Sequence, residues 1–228
     1  MIYHGSPQIV NHPELGKGKS YNDYGQGFYC TKSLDLAKEW ACPTQKDGFA
    51  NQYTLNTEGL SYFHLSGGSY HILNWLALLL KNRTFDLSAP LALQARAYII
   101  QTFMPSLSGK DYIIGYRADD SYFSFAEDFV SGVLSLRDLS EAMRLGALGE
   151  QVVLVSPKAF QQIHFEGYET ASYREYHVKR MSRDNLARQE YQNRKRDLRS
   201  LKGDLFVLDI LREEMKNDDP RLQRILPE

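Results

Sequence analysis

Cysteine is nearly missing from this chain: of 228 residues, only Cys30 and Cys42 carry a thiol. Two thiols cannot build a disulfide scaffold, and their spacing is not that of a metal knuckle, which suits a reducing cytoplasm. A charge imbalance is missing too. With a formal net charge of -1 and a pI near 6.6, nothing pulls the whole molecule toward nucleic acid or a lipid surface, so any electrostatic partner has to be read from local clusters. The longest apolar run, WLALLL at 75–80, is far too short to span a bilayer. The N-terminal MIYHGSPQIV has neither the basic start nor the apolar core of a signal peptide. The expectation is a cytoplasmic chain with no membrane partner.

Two kinds of motif are also lacking. His4, His12, His64, His71, His164 and His177 show no ligand spacing, so no metal site is expected. GKGKS at 16–20 ends like a phosphate-binding loop, but Pro13 stands where that loop needs its first glycine.

What is present is enough apolar material, 43% of residues, to bury a proper core. The patterning predicts strands at 2–4, 27–31, 51–57, 60–66 and 111–116. EQVVLVS at 150–156 is the clearest strand, with FQQIHFEGYE at 160–169 as its expected antiparallel neighbour. Between them lie helical segments: SLDLAKEWA with Ser33 as its cap, YHILNWLALLLKN, PLALQARAYIIQTFM, an aromatic-rich segment after 120, and SLRDLSEAMRLG closed by Gly146. Residues 174–202 hold ten Lys/Arg against four Asp/Glu in a long polar helical pattern, and DLFVLDILREEM is again amphipathic. That helix either docks on an acidic surface of the domain, the safer expectation for a long charged helix, or binds nucleic acid or an acidic partner.

The chemistry concentrates in two stretches. YHGS ends the first strand with His4, Gly5 and Ser6, and a glycine there lets a flat ligand or an amide approach the backbone closely. NDYGQGFYCTKSLDLAKEWA then sets Tyr29 and Trp40 eleven residues apart behind Gly27. Taken alone, such an aromatic pair reads as core packing. Cys30, with no base assigned to it, reads as a small buried thiol.

HGS near the start, YGQGFYC, and the aromatic after it resemble the ADP-ribosyltransferase superfamily, in particular its histidine-tyrosine-glutamate branch typified by the poly(ADP-ribose) polymerases. More narrowly, NDYGQGFYCT, GYRADDSYFSF, LGEQVVL and DILREEM resemble an uncharacterised bacterial family, a domain of unknown function. That narrower likeness covers most of the chain; the polymerase likeness covers three short motifs. It implies that NAD is a substrate, that His4 bonds its adenosine ribose, and that the Gly5 backbone grips the nicotinamide carboxamide. Tyr29 and Trp40 become the walls of a slot for the cationic ring, with Trp40 where the polymerases carry a stacking tyrosine. Ala37 departs from the pattern, since a serine that also bonds the carboxamide corresponds to it.

The third element of the resemblance falls at the start of a late strand, where Glu150 and Gln151 stand side by side. Alternation lets only one of them face the cleft; counting toward SPKAF favours Gln151, while chemical type favours Glu150. In YRADD, Arg117 either contacts the pyrophosphate or sits in an ion pair, and Asp119 or Asp120 either orients an acceptor or caps the next helix.

The resulting expectation is an α+β domain over 1–170 with an ADP-ribosyltransferase-like split antiparallel β core and inserted helices, followed by a helical C-terminal extension over 171–228. Its activity would be mono-ADP-ribosyl transfer from NAD to a macromolecular acceptor, as a bacterial toxin or effector whose partners include a small cognate inhibitor protein. The alternatives are a catalytically silent nucleotide- or partner-binding module and an NAD glycohydrolase.

Overall fold

The computed structural model describes residues 1–67, 70–118, 121–143, 145, 149–196 and 202–223. Asp119, Asp120 and Gly146, singled out in the sequence, and part of the basic stretch lie outside the described residues.

Seven strands form a single sheet among the described residues: β1 (Ile2–Ser6), β2 (Phe28–Thr31), β3 (Gly48–Leu55), β4 (Tyr62–His64), β5 (Tyr112–Tyr116), β6 (Glu150–Leu154) and β7 (Ile163–Ala171), in the order β4-β5-β6-β2-β1-β3-β7. The class is α+β as expected. All neighbouring strands run antiparallel except β4 and β5, which are parallel, so the sheet is mixed. The expected pairing of β6 with the strand after it does not occur. β6 lies between β2 and β5, while β7 pairs with β3 at the far edge.

The reason is a connection that the sequence pattern presents as a simple turn. Ser156 caps a short helix, α6 (Pro157–Gln161), whose Ala159 and Phe160 join an apolar cluster with Ile2, Phe28, Tyr53, Val152 and Leu154. Burying those two side chains carries the chain away from the neighbouring position. Asp111 fixes the start of the crossing by accepting from the Ser156 hydroxyl at 2.6 Å and from the Ser61 amide at 2.8 Å.

α1 (Leu34–Ala41) begins where the sequence says, with the Ser33 hydroxyl accepting from the Leu36 amide. It lies directly on β1. A Cβ added to Gly5 would stand 2.0 Å from the Ala37 carbonyl oxygen and 2.7 Å from the Trp40 Cβ, so Gly5 is what lets the helix come this close.

The chain divides into two compact units. The first is residues 1–64, 107–117 and 149–185 and holds the whole sheet, α1, α6 and the first half of α7 (Tyr173–Arg196). The second is residues 65–106, 118–148 and 186–228, with α2 (Ile72–Asn82), α3 (Pro90–Phe103), α4 (Ser121–Val130), α5 (Leu136–Ala142), α8 (Val207–Arg212), α9 (Pro220–Gln223) and the second half of α7. Helices α2 to α5 thus group with the C-terminal part of the chain, while α1 and α6 stay with the sheet.

α2 is buried on every side from Ile72 to Leu80, which makes it the centre of its unit rather than an amphipathic surface helix. Both cysteines are free and fully buried, and burial pushes each thiol's pKa upward, so neither is an activated nucleophile. Among the described residues, no helix is long and apolar enough to cross a membrane, and no group of His, Cys, Asp and Glu is arranged to hold a metal ion.

Candidate functional site

β1 and β2 are paired through Tyr3 and Thr31 alone. Beyond that pair the ladder stops, although β1 stays fully laddered to β3 as far as Ser6. In place of a ladder bond, the His4 ring bonds the Tyr29 carbonyl through Nδ1 at 2.7 Å. Nδ1 must therefore carry the proton, which leaves Nε2 as the lone-pair nitrogen, with no hydrogen-bond partner among the described residues. Burial lowers the His4 pKa below its ordinary value, partly offset by that carbonyl, so the neutral ring is the resting form.

The Tyr29 carbonyl points at β1, and in an antiparallel pair the residues two apart present their backbone groups to the same side. Thr31 therefore also faces β1, its partner Tyr3 faces β2, and Gly5, two residues on, turns its amide and carbonyl toward β2 where no ladder pair is formed. One donor and one acceptor side by side are what a primary carboxamide needs.

Alternation separates the predicted residues onto two faces. His4 shares the face of Ile2 and Phe28, its ring 4.4 Å from that of Phe28. Glu150 lies on this face by alternation with Val152 and Leu154. The other face carries Gly5, Tyr29 and Gln151, the last opposite Thr31. Trp40 overlies this second face, with its indole Nε1 buried and without a hydrogen-bond partner among the described residues. The Arg117 guanidinium is stacked on the indole at 4.0 Å from the ring centroid. Ser6 closes the strand and accepts from the Gln8 amide at 3.2 Å.

Gln151 is buried, 3% exposed, and its Nε2 donates to Asp23 Oδ2 at 2.9 Å and to the Tyr116 carbonyl at 3.2 Å. Both donors are thus spent on the protein itself. Glu150 is more accessible, with 29% of its side chain exposed, and bonds His64 Nε2 at 2.9 Å.

Asp23 and Tyr24 belong to this site and were not singled out from the sequence. The Tyr24 hydroxyl donates to the Tyr116 carbonyl at 2.9 Å, and burial together with the Asp23 charge pushes its pKa well above the ordinary value. The Tyr29 hydroxyl donates to the Gly25 carbonyl at 2.6 Å and accepts from the Tyr24 amide at 3.1 Å. The loop NDYG is thereby tied to β2, β5 and β6 at once. Gly27 lets β6 approach: a Cβ there would stand 2.6 Å from a Val153 methyl. The only sequence signal for this role was a buried-type aromatic next to an acid in a loop rich in glycine.

Residues 1–165 match the family described as protein of unknown function DUF3990. The chain belongs to DUF3990. No curated protein and no solved structure matches it. The DUF3990 match spans β1 to β6 and the start of β7, and so contains every residue placed at the site. The C-terminal helices α7, α8 and α9 fall beyond it.

Proposed function

We propose that this DUF3990 chain is a mono-ADP-ribosyltransferase on an ADP-ribosyltransferase-like sheet, moving ADP-ribose from NAD to a macromolecular acceptor. The observation that carries the reading is the interrupted β1–β2 ladder: Gly5 stands outside it on the β2 side and beside His4, whose Nε2 has no partner among the described residues. NAD fits this set chemically. Its carboxamide matches the Gly5 pair, its ribose hydroxyls match Nε2 as an acceptor, and its flat cationic ring matches the Trp40 indole.

Cleaving the bond between nicotinamide and ribose develops positive charge on the sugar, so a nearby carboxylate lowers the barrier. The sequence count favours Gln151 for this position. We assign it instead to Glu150, because Gln151 is buried with both amide donors committed to Asp23 and Tyr116. Arg117 binds the diphosphate in this reading.

Incubating the protein with NAD labelled in the adenylate, alone and in cell lysate, tests the proposal. Transfer of label to protein or nucleic acid supports it. Release of nicotinamide without a labelled acceptor identifies a glycohydrolase, and NAD bound but never cleaved identifies a silent binding module.

A further inference from the structure

Glu150 does not stand alone on its face of the sheet. His64 closes the edge strand β4, in register with Ile114 of β5 and through it with Val152 of β6, so it shares the face of Glu150. Its ring reaches across β5 and bonds Glu150 Oε1 through Nε2 at 2.9 Å. With Glu150 as a carboxylate, Nε2 is the donor and the lone pair of the neutral ring is on Nδ1, the reverse of the tautomer at His4. Both side chains are partly open to solvent, His64 36% and Glu150 29% exposed.

We propose that His64 is the base that takes the acceptor's proton, and that the acceptor is a hydroxyl group. The inference rests on the transferase reading and on Glu150 as the carboxylate beside the sugar. When the C1'–N1 bond breaks, its electron pair goes to the ring nitrogen and neutral nicotinamide leaves. A carboxylate that took up a proton at that moment would lose the charge the sugar needs, so the proton has to go elsewhere. His64 offers the place. The acceptor oxygen bonds to C1', its proton moves to Nδ1, and Glu150 stabilises the imidazolium through Nε2 until the proton passes to solvent. The pair also sorts acceptors. An ionised carboxylate or phosphate has no need of a base and is repelled by Glu150, while an ammonium has no lone pair until it loses a proton that imidazole is too weak a base to hold. A hydroxyl arrives neutral and sheds its proton as the bond forms. The same oxygen chemistry is offered by a serine or threonine side chain and by a ribose.

The test follows transfer from adenylate-labelled NAD in cell lysate by wild type, His64→Gln and His64→Ala, and locates the attached ADP-ribose by mass spectrometry. Glutamine keeps an N–H for Glu150 but has no basic nitrogen, so it separates holding the carboxylate from taking the proton. The kcat of transfer should fall about a hundredfold or more in both variants, with KM for NAD little changed, and free imidazole should restore part of the rate in His64→Ala. ADP-ribose should be found on an oxygen that was a hydroxyl. Label released by protease identifies a side-chain hydroxyl and label released by nuclease a ribose, and either supports the proposal. Transfer by His64→Gln at close to the wild-type rate would make His64 a residue that only holds Glu150 and would overturn it, leaving the transferase reading intact. ADP-ribose on a carboxylate, a phosphate or a nitrogen would overturn it equally. If wild type never cleaves NAD, the base role and the transferase reading fail together.

Discussion

Glu150 and Gln151 show how far one residue of register changes chemistry. Adjacent on a strand, they face opposite sides, and the sheet buries one and leaves the other partly in solvent. Gln151 supplies a donor to Asp23, a carboxylate only 4% exposed, so removing the amide withdraws a hydrogen bond from a buried charge. Gln151→Ala is expected to cost about 1–3 kcal/mol in urea unfolding. Glu150→Ala loses only a partly exposed contact to His64, worth within about 1 kcal/mol, while NAD cleavage falls sharply. Equal loss of cleavage in both variants at unchanged stability would return Gln151 to the cleft. Gly5 is a similar case. Its missing side chain suggests room for a ligand, whereas α1 fills that space, so in the proposed site only the Gly5 backbone remains for one.

At the scale of elements, α1 does two jobs: it presents Trp40 to the sheet and anchors the basic helix. Glu39 of α1 and Arg183 of α7 are 2.6 Å apart with side chains 11% and 17% exposed, and Lys38 reaches Glu169 at 2.8 Å. Arg183, one basic residue of 174–202, therefore docks on an acidic side chain within the first unit, the safer of the two expectations. A double-mutant cycle on Glu39 and Arg183 is expected to return a coupling of about 1–3 kcal/mol, with faster amide exchange over 173–185 in either single variant. A coupling near zero would place the pair with ordinary surface ions.

Most elements were legible because each rests on local information: period-two alternation in β6, the Ser33 cap of α1, the apolar density of α2. Strand neighbours were not, since β6 and β7 are close in sequence and are parted by how α6 buries Ala159 and Phe160. The same limit applies at the site. His4, Gly5, Tyr29 and Trp40 announce themselves by motif, but Asp23 meets Gln151 across 128 positions and Tyr24 meets Tyr116 across 92, which no local pattern encodes.

For the molecule as a whole, each compact unit contains a histidine that burial holds neutral: His4 in the first and His71 in the second. His71 is 3% exposed at the start of α2, and burial lowers its pKa from 6.5 to about 4, with Asn217 opposing the shift. In the unfolded chain the ring takes its proton near the ordinary value; in the folded chain it resists to much lower pH. Protons therefore favour unfolding throughout that interval, and stability is full above about 6.5 and erodes as pH falls toward 4. The shift is worth about 3 kcal/mol when the interval is complete. Urea midpoints measured from pH 7.5 to 4.5 should fall accordingly, and His71→Gln, which has no proton to gain, should flatten the part of the slope due to this site. An acid slope identical in wild type and His71→Gln would show that the burial of His71 does not carry the sensitivity and would turn attention to His4, whose ring is shifted the same way by the same cause.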